Sequence, residues 1–213
     1  MSILKKNIAI ILASGLGKRF GIKEPKQYLR FNNQLLLNHT IQLFLNHRKI
    51  DLILVMVNKK HKKFFNKIIH NKRVLRRYGG DSRQKSVFNG LKSIKRFNPL
   101  NVLIHDANRP FTDAKLISEI LEKLKRFKAV IPRIKIQDTI KKVENSKITP
   151  LNRNKIFALQ TPQGFKYKEL FEKHSNANSK KFTDDSSLFD DSSKFITYIY
   201  GNIENIKITD KSD

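Results

Sequence analysis

The chain has 213 residues, and 44 lysines and arginines against 18 aspartates and glutamates give it a formal net charge of +26. Its length suits one domain, and a hydrophobic content of 39 % with 15 phenylalanines is enough to build a core, which excludes a disordered polyelectrolyte. The absence of cysteine excludes disulfides, cysteine-ligated zinc, iron–sulfur clusters and thiol catalysis, and it permits the reducing cytoplasm expected as the location. Lys5 and Lys6 before Ile8-Ala9-Ile10-Ile11-Leu12-Ala13 imitate a signal peptide. The apolar run is short, however, and leads into Gly15-Leu16-Gly17-Lys18-Arg19, basic where a cleavage site is small and neutral. Residues 7–13 therefore read as a buried parallel strand ending in a glycine loop. No apolar run approaches the roughly 18 residues that span a bilayer, so no membrane partner is expected.

A helix follows, carried by Leu36, Leu37, Ile41, Phe44 and Leu45; residues 51–57 form a second buried strand, and residues 59–69 read as a basic helix. A short strand at 73–77 meets Gly79-Gly80-Asp81. Val87, Leu91 and Ile94 then mark a helix capped by Ser82 or Asp81. Residues 101–105 form a strand closed by Asp106-Ala107-Asn108-Arg109-Pro110, before a helix on Leu116, Ile117, Ile120, Leu121 and Leu124 and a strand at 129–132. Between 134 and 159 the alternation changes to Thr139-Ile140, Val143 and Ile148 around Glu144-Asn145-Ser146-Lys147, which reads as a projecting β-hairpin arm. A helix from about 166, a short helix opened by Thr183-Asp184-Asp185, and strands at 195–200 and 205–209 complete the chain. The expected architecture is α/β, a Rossmann-like open and mostly parallel sheet in a single domain over 1–213, with the arm at about 134–159.

The positive charge invites a nucleic-acid partner, but the basic residues are spread among core-spaced apolar ones, and no helix-turn-helix, zinc-finger or RNA-binding signature accompanies them. Solvated helix faces in a lysine-rich composition are the preferred explanation, and nucleic acid is not the expected partner.

In an open α/β sheet the ligand lies beyond the carboxyl ends of the strands. The residues placed there are Ala13, Ser14, Gly15, Gly17, Lys18, Arg19 and Lys26 after the first strand, Gly80 and Asp81 after the third, and Asp106 and Arg109 after the fourth. Small residues let backbone N–H groups approach phosphate oxygens while cations hold the charge, so this is a polyphosphate site. A P-loop fails because Gly15-Leu16-Gly17-Lys18-Arg19-Phe20 lacks both the spacing and the hydroxyl after lysine. A dinucleotide fingerprint is weak, with Phe20 at the third glycine position and Asn58 where the ribose acid belongs. A nucleotidyltransferase loop fits: small residues, two glycines, a basic pair, and Pro25-Lys26 downstream. His105 reads as a structural histidine, and Asp184 and Asp185 as charge at a helix start capped by Thr183.

Over nearly its whole length the chain resembles the 2-C-methyl-D-erythritol 4-phosphate cytidylyltransferases of non-mevalonate isoprenoid synthesis. The likeness rests on Leu12-Ala13-Ser14-Gly15-Leu16-Gly17-Lys18-Arg19, Pro25-Lys26-Gln27-Tyr28-Leu29, Gly79-Gly80-Asp81-Ser82-Arg83 with Ser86-Val87, and His105-Asp106-Ala107-Asn108-Arg109-Pro110. Asp138-Thr139, Asn152-Arg153-Asn154, Gln160-Thr161-Pro162-Gln163-Gly164-Phe165, Thr183-Asp184-Asp185 and Glu204-Asn205-Ile206-Lys207-Ile208-Thr209 complete it. It implies that Ala13, Ser14, Gly15, Gly17 and Lys18 line the CTP site, that Gly80, Asp81 and Ser86 read cytosine and ribose, and that Arg19 and Lys26 stabilise the transition state. It also implies that Thr139, Arg153 and Lys207 hold the acceptor's 4-phosphate, with Arg109 and Thr161 nearby; Arg153 and Lys207 thereby belong to the catalytic set. Asp106 is the best ligand for Mg²⁺, a hard cation that prefers carboxylate oxygen, and Glu204, where relatives often carry aspartate, is a second metal candidate. The arm implies a homodimer with a shared site. A pentitol-phosphate cytidylyltransferase, such as one using ribitol 5-phosphate, is the alternative enzyme; a basic nucleic-acid-binding protein is the alternative from another class.

Overall fold

A computed structural model describes residues 5–15, 25–177, 182–189 and 194–209. Strand β1 (Lys6–Ala13) is followed by a small hairpin, β2 (Arg30–Phe31) and β3 (Gln34–Leu35), then α1 (Leu36–Asn46), β4 (Leu52–Val57), β5 (Val74–Tyr78), α2 (Arg83–Ile94) and β6 (Pro99–Asp106). Helix α3 (Ala114–Lys123) leads to β7 (Ala129–Lys135), the hairpin β8 (Lys141–Glu144) and β9 (Lys147–Pro150), β10 (Phe157–Leu159), β11 (Gln163–Lys166), α4 (Tyr167–Asn176) and β12 (Ile196–Tyr200).

The main sheet runs β5-β4-β1-β6-β11-β7, with β10 and β12 also paired to β7. Pairs β1–β4, β1–β6, β4–β5 and β7–β12 are parallel, whereas β11 inserts antiparallel between β6 and β7. From β1 the chain moves outward to β4 and β5 and then returns to the other side of β1 as β6. That reversal opens a crevice at the carboxyl ends of these strands, the place where an open α/β sheet takes its ligand.

Residues alternate along each strand, so the two faces of the sheet take different helices. Ala9, Ile11, Ile53, Val55 and Leu103 pack with α1 through Leu37, Ile41 and Phe44 and with α3 through Ile117 and Ile120. Ile8, Ile10, Leu54, Met56, Val102 and Ile104 pack with α2 through Val87, Leu91 and Ile94 and with α4 through Leu170. Both faces being covered explains why β1 from Ile8 onward and β4 are apolar at every position rather than at alternate ones.

The arm forms as expected: Val143 faces Ile148 across the hairpin, and Asn145 and Ser146 make the turn with φ of 46° and 64°. Its stem differs, because Phe157, Ala158 and Leu159 return to the main sheet against β7 instead of belonging to the projection. Two other expectations are corrected. Residues Lys59–Lys67 wind as a 3₁₀ segment kinked at His61, not as an α-helix. Lys59, Lys60, Lys62, Lys63 and Lys67 repel one another at helical spacing with no acid between them, and the buried anchor of the segment is Phe64, stacked on Tyr28 at 4.2 Å. Residues 205–209 are not a strand; side chains rather than a ladder hold them, as described below. Among the described residues no helix is long and apolar enough to cross a membrane.

Candidate active site

At the carboxyl ends of β1, β4 and β6 lies a cavity of about 930 Å³. Its floor is the end of β1. Buried Gln27 donates from Nε2 to the carbonyl oxygens of Ala13 and Gly15, both at 2.8 Å, which fixes where the glycine loop leaves the sheet. Tyr28, wedged on Phe64, anchors the same 3₁₀ turn, and burial pushes its hydroxyl up to about 12. Lys26, first residue of that turn, therefore faces the cavity from a backbone pinned on its next two positions.

The opposite wall is the turn from β5 into α2. Ser86 is fully buried, and its hydroxyl donates to Ser82 O at 2.8 Å, accepts from Gly80 N at 3.0 Å and lies 2.9 Å from Ser14 Oγ. It ties the glycine loop to the helix start from beneath and does not itself line the cavity. A Cβ on Gly79 would stand 2.6 Å from Ser14 Cβ, so glycine is required for this approach. Ser82 caps α2 by accepting from Lys85 N, as expected, and Asp81 points outward to Lys85 at 2.9 Å, a partner that lowers its pKa. Asn58, just after β4, ties that strand end to the glycine loop by donating to Ser14 O at 3.0 Å.

Asp106 ends β6. Its Oδ2 is 2.8 Å from Lys207 Nζ and 3.7 Å from Arg109 Nε. Burial alone would raise its pKa, but Lys207, Arg83 and Arg109 outweigh it and hold the carboxyl at about 2, ionised at any working pH. Lys207 reaches it from the irregular C-terminal segment, whose clamp is Asn205. That fully buried side chain accepts from Thr112 Oγ1 at 2.8 Å and donates to Thr161 O at 2.8 Å, while Arg109 donates to its carbonyl at 2.6 Å. Ile208 and Asn108 add a backbone bond, Ile208 N to Asn108 O, and a bond from the Asn108 amide to Ile208 O. Thr161 is likewise engaged, accepting from Asp106 N and lying 3.1 Å from His105 Nδ1.

Of the residues singled out in the sequence, the cavity brings together Ser14, Gly15, Lys26, Gly80, Asp81, Asp106 and Lys207. Ala13, Ser86, Arg109 and Thr161 are buried behind it as supports. Gly17, Lys18 and Arg19 lie outside the described residues. Thr139 and Arg153 are exposed at the arm; Arg153 donates to Gln137 O beside a second cavity of about 650 Å³ lined also by Arg133 and Tyr200. Glu204 is exposed and outside the main cavity. Sequence reasoning passed over Gln27, Asn205 and Arg83; all three stand inside the quoted motifs, but a buried amide or arginine is not distinguishable from an exposed one by residue type. Asp184, rather than Thr183, caps the turn at 186–188 by accepting from Ser187 N at 3.1 Å, and Asp185 is buried.

The family model for 2-C-methyl-D-erythritol 4-phosphate cytidylyltransferase, IspD, matches residues 7–213. The chain belongs to that family. A bifunctional enzyme IspD/IspF of Pelagibacter ubique is 43 % identical over 205 residues, 96 % of this chain and 54 % of that protein. The 2-C-methyl-D-erythritol 4-phosphate cytidylyltransferase of Clostridioides difficile is 38 % identical over 212 residues, 96 % of this chain and 89 % of that one. Among solved structures, the 4-diphosphocytidyl-2C-methyl-D-erythritol synthase of Anaerococcus prevotii superposes with a TM-score of 0.83 at 29 % identity, covering 98 % of this chain and 92 % of that one. This IspD-family chain spans about half the length of its bifunctional relatives and most of the length of the others.

Proposed function

We propose that this chain transfers the cytidylyl group of CTP to 2-C-methyl-D-erythritol 4-phosphate, releasing pyrophosphate. The observation that carries the reading is the meeting, in one cavity, of the glycine loop, Lys26 and the Asp106–Lys207 pair in a chain matched by the family over residues 7–213. An oxygen of the acceptor phosphate attacks the α-phosphorus of CTP; the new P–O bond forms as the bond to the bridging oxygen of pyrophosphate breaks. The attacking group is already ionised at neutral pH and needs no general base. Negative charge builds on the equatorial and leaving oxygens, where Lys26 and, by the family likeness, Arg19 offset it. The small residues at 13–15 and 80 let the triphosphate and the base approach the backbone, with Ser86 holding that wall in place.

Mg²⁺ fits this donor set, since one ionised carboxylate at Asp106 plus substrate phosphates is how that ion is usually held. Bound there it would neutralise phosphate charge and orient the triphosphate. Lys207, already 2.8 Å from Asp106, would meet the acceptor phosphate. The whole described stretch serves as one nucleotidyltransferase domain, placed by this reading in the cytoplasm.

Pyrophosphate release with CTP and Mg²⁺ tests the assignment: turnover is expected with methylerythritol 4-phosphate and not with ribitol 5-phosphate. Lys26→Ala should lower kcat by about 10²-fold. Equal or better use of ribitol 5-phosphate would reassign the acceptor.

The arm supports a homodimer. Val143 and Ile148 pair on it while 66 % and 60 % exposed, and Thr139 and Arg153 stand where their own Asp106 cavity does not include them. In a second copy's cavity they would complete the acceptor site. Sedimentation velocity should give twice the chain mass for the wild type and a shift to monomer for Val143→Glu with Ile148→Glu; a monomeric wild type would refute this.

A further inference from the structure

Arg83 is the first residue of α2, so its side chain leaves the helix start beside the nucleotide wall, and it lines the main cavity. Its Nη1 forms an ion pair with Asp185 Oδ2 at 2.6 Å, a charge contact without hydrogen-bond alignment. Asp185 is 1 % exposed, and a carboxylate so buried costs several kcal/mol in lost hydration unless its oxygens are met. The second oxygen, Oδ1, accepts from His174 Nε2 at 3.0 Å. His174 is itself buried in α4, its ring parallel to that of Phe88 at 6.0 Å, and its Nδ1 has no hydrogen-bond partner among the described residues, which places the proton on Nε2. Asp185 thus connects the interior, through His174, to the cavity wall, through Arg83.

Burial works against the Arg83 charge, but Asp185, then Asp106 across the cavity, and more weakly Asp184 outweigh it. Asp106 already holds Lys207 and Arg109. With the Asp185 charge removed, Asp184, whose Oδ1 is taken by Ser186 Oγ and Ser187 N, and Asp106 are the acids left to draw the Arg83 guanidinium, and a turn toward Asp106 would crowd the carboxylate needed for a phosphate-bound cation. We propose that Asp185, oriented by His174, is a positioning residue that keeps Arg83 against the cavity wall, off Asp106, where the guanidinium meets a phosphate of the nucleotide. Guanidinium groups held in one orientation bind phosphate oxygens in a planar, two-pronged way that a freely rotating cation does not. Only the identity of the phosphate ligand rests on the cytidylyltransferase reading; the three-residue connection does not.

A merely structural role for Asp185 would stabilise the packing of α4 whatever stands at 83. A double-mutant cycle separates the two. Asp185→Asn preserves the shape and the Oδ1 acceptor for His174, and it replaces the charged acceptor facing Arg83 by an amide donor that cannot hold the guanidinium. Expected are a fall in kcat/KM for CTP of about tenfold in Asp185→Asn, a larger fall in Arg83→Gln, and no further loss in the double variant, with melting temperatures close to wild type. Losses that multiply in the double variant, or wild-type kcat/KM in Asp185→Asn, would overturn the proposal. Should Asp185→Asn fail to fold, His174→Gln takes its place in the cycle with the same two outcomes. Calorimetric titration of the four proteins with inorganic pyrophosphate reads the same coupling in affinity. A wild type without turnover would therefore count against the proposed reaction, while additive pyrophosphate affinities would count against the role of Asp185.

Discussion

Asparagine at position 106 is expected to lower kcat by about 10²–10³-fold while leaving the protein folded. The amide has the same shape, and the backbone N–H of residue 106, which bonds Thr161 at 3.1 Å, is untouched. What disappears is the negative charge to which Lys207 is held at 2.8 Å and Arg109 at 3.7 Å, and which Arg83 senses across the cavity. Three cations would then face one another around a neutral group. Phosphates are still attracted, so KM for CTP should change little; their orientation and the cation that neutralises them are lost, so the effect should fall on kcat. Because the carboxyl is held at about 2, wild-type activity should show no acid limb from this residue between about pH 4 and 7. A variant within a few-fold of wild-type kcat would remove Asp106 from the chemistry.

How much of this arrangement is legible in the sequence depends on whether a residue's environment is set locally. Strands β1 and β4 announce themselves, since Ile8 to Ala13 and Leu52 to Val57 are unbroken apolar runs that only a sheet covered on both faces explains. Helices α1, α2 and α3 show their apolar stripes at helical spacing, and Ser82 its cap. Strand β11 does not announce itself. Gln163-Gly164-Phe165-Lys166 is short, carries glycine, and becomes a strand because β6 and β7 present free edges to it; Gly164 is needed there because a Cβ would meet Ile120 at 2.2 Å. The 205–209 segment errs in the other direction. Its alternation resembles a strand, yet among the described residues no strand takes it up, and Asn205 with Asn108 supplies the hydrogen bonds instead.

The site divides the same way. Residues whose place follows from lying beyond a strand end, Lys26, Asp81 and Asp106, are legible as cavity residues from position alone. Asp185 was not. Next to Thr183 and Asp184 it has every local mark of a helix-start acid, and only the tertiary fold, by bringing α4 and the start of α2 to it, makes it a buried partner of His174 and Arg83. Arg153 marks a different limit. Its own chain leaves it exposed beside the arm, away from the Asp106 cavity, so nothing in its local sequence places it at that cavity.

Acid should destabilise the fold between about pH 6.5 and 4, and His105 should account for much of it. The imidazole is fully buried at the end of β6, edge-on to Phe44 at 5.1 Å, with Nε2 3.1 Å from Arg109 O and Nδ1 3.1 Å from Thr161 Oγ1. The neutral tautomer satisfies all of these: Nε2–H donates to the carbonyl, and Nδ1 accepts from the hydroxyl, which in turn accepts from Asp106 N. Burial first, and the charges of Arg109 and Lys207 after it, outweigh the pull of Asp106 and of the Arg109 carbonyl, and bring the pKa down from 6.5 to about 4. In the unfolded chain the ring takes a proton near 6.5; in the native protein it waits until about 4. Across that window the unfolded state binds more protons, so stability falls as pH falls, by about 3 kcal/mol in total, and levels off below the native value. Asp106 contributes in a lower window, losing its part as pH drops from about 3.8 to about 2. His47 and His61 are lowered by burial as well and act in the same direction. The readout is therefore the difference between wild type and His105→Gln in urea unfolding across this range. The variant should start less stable at neutral pH, because glutamine fills the ring's place poorly, and then lose less on acidification. Parallel stability curves for the two proteins would show that His105 is not held neutral by its burial.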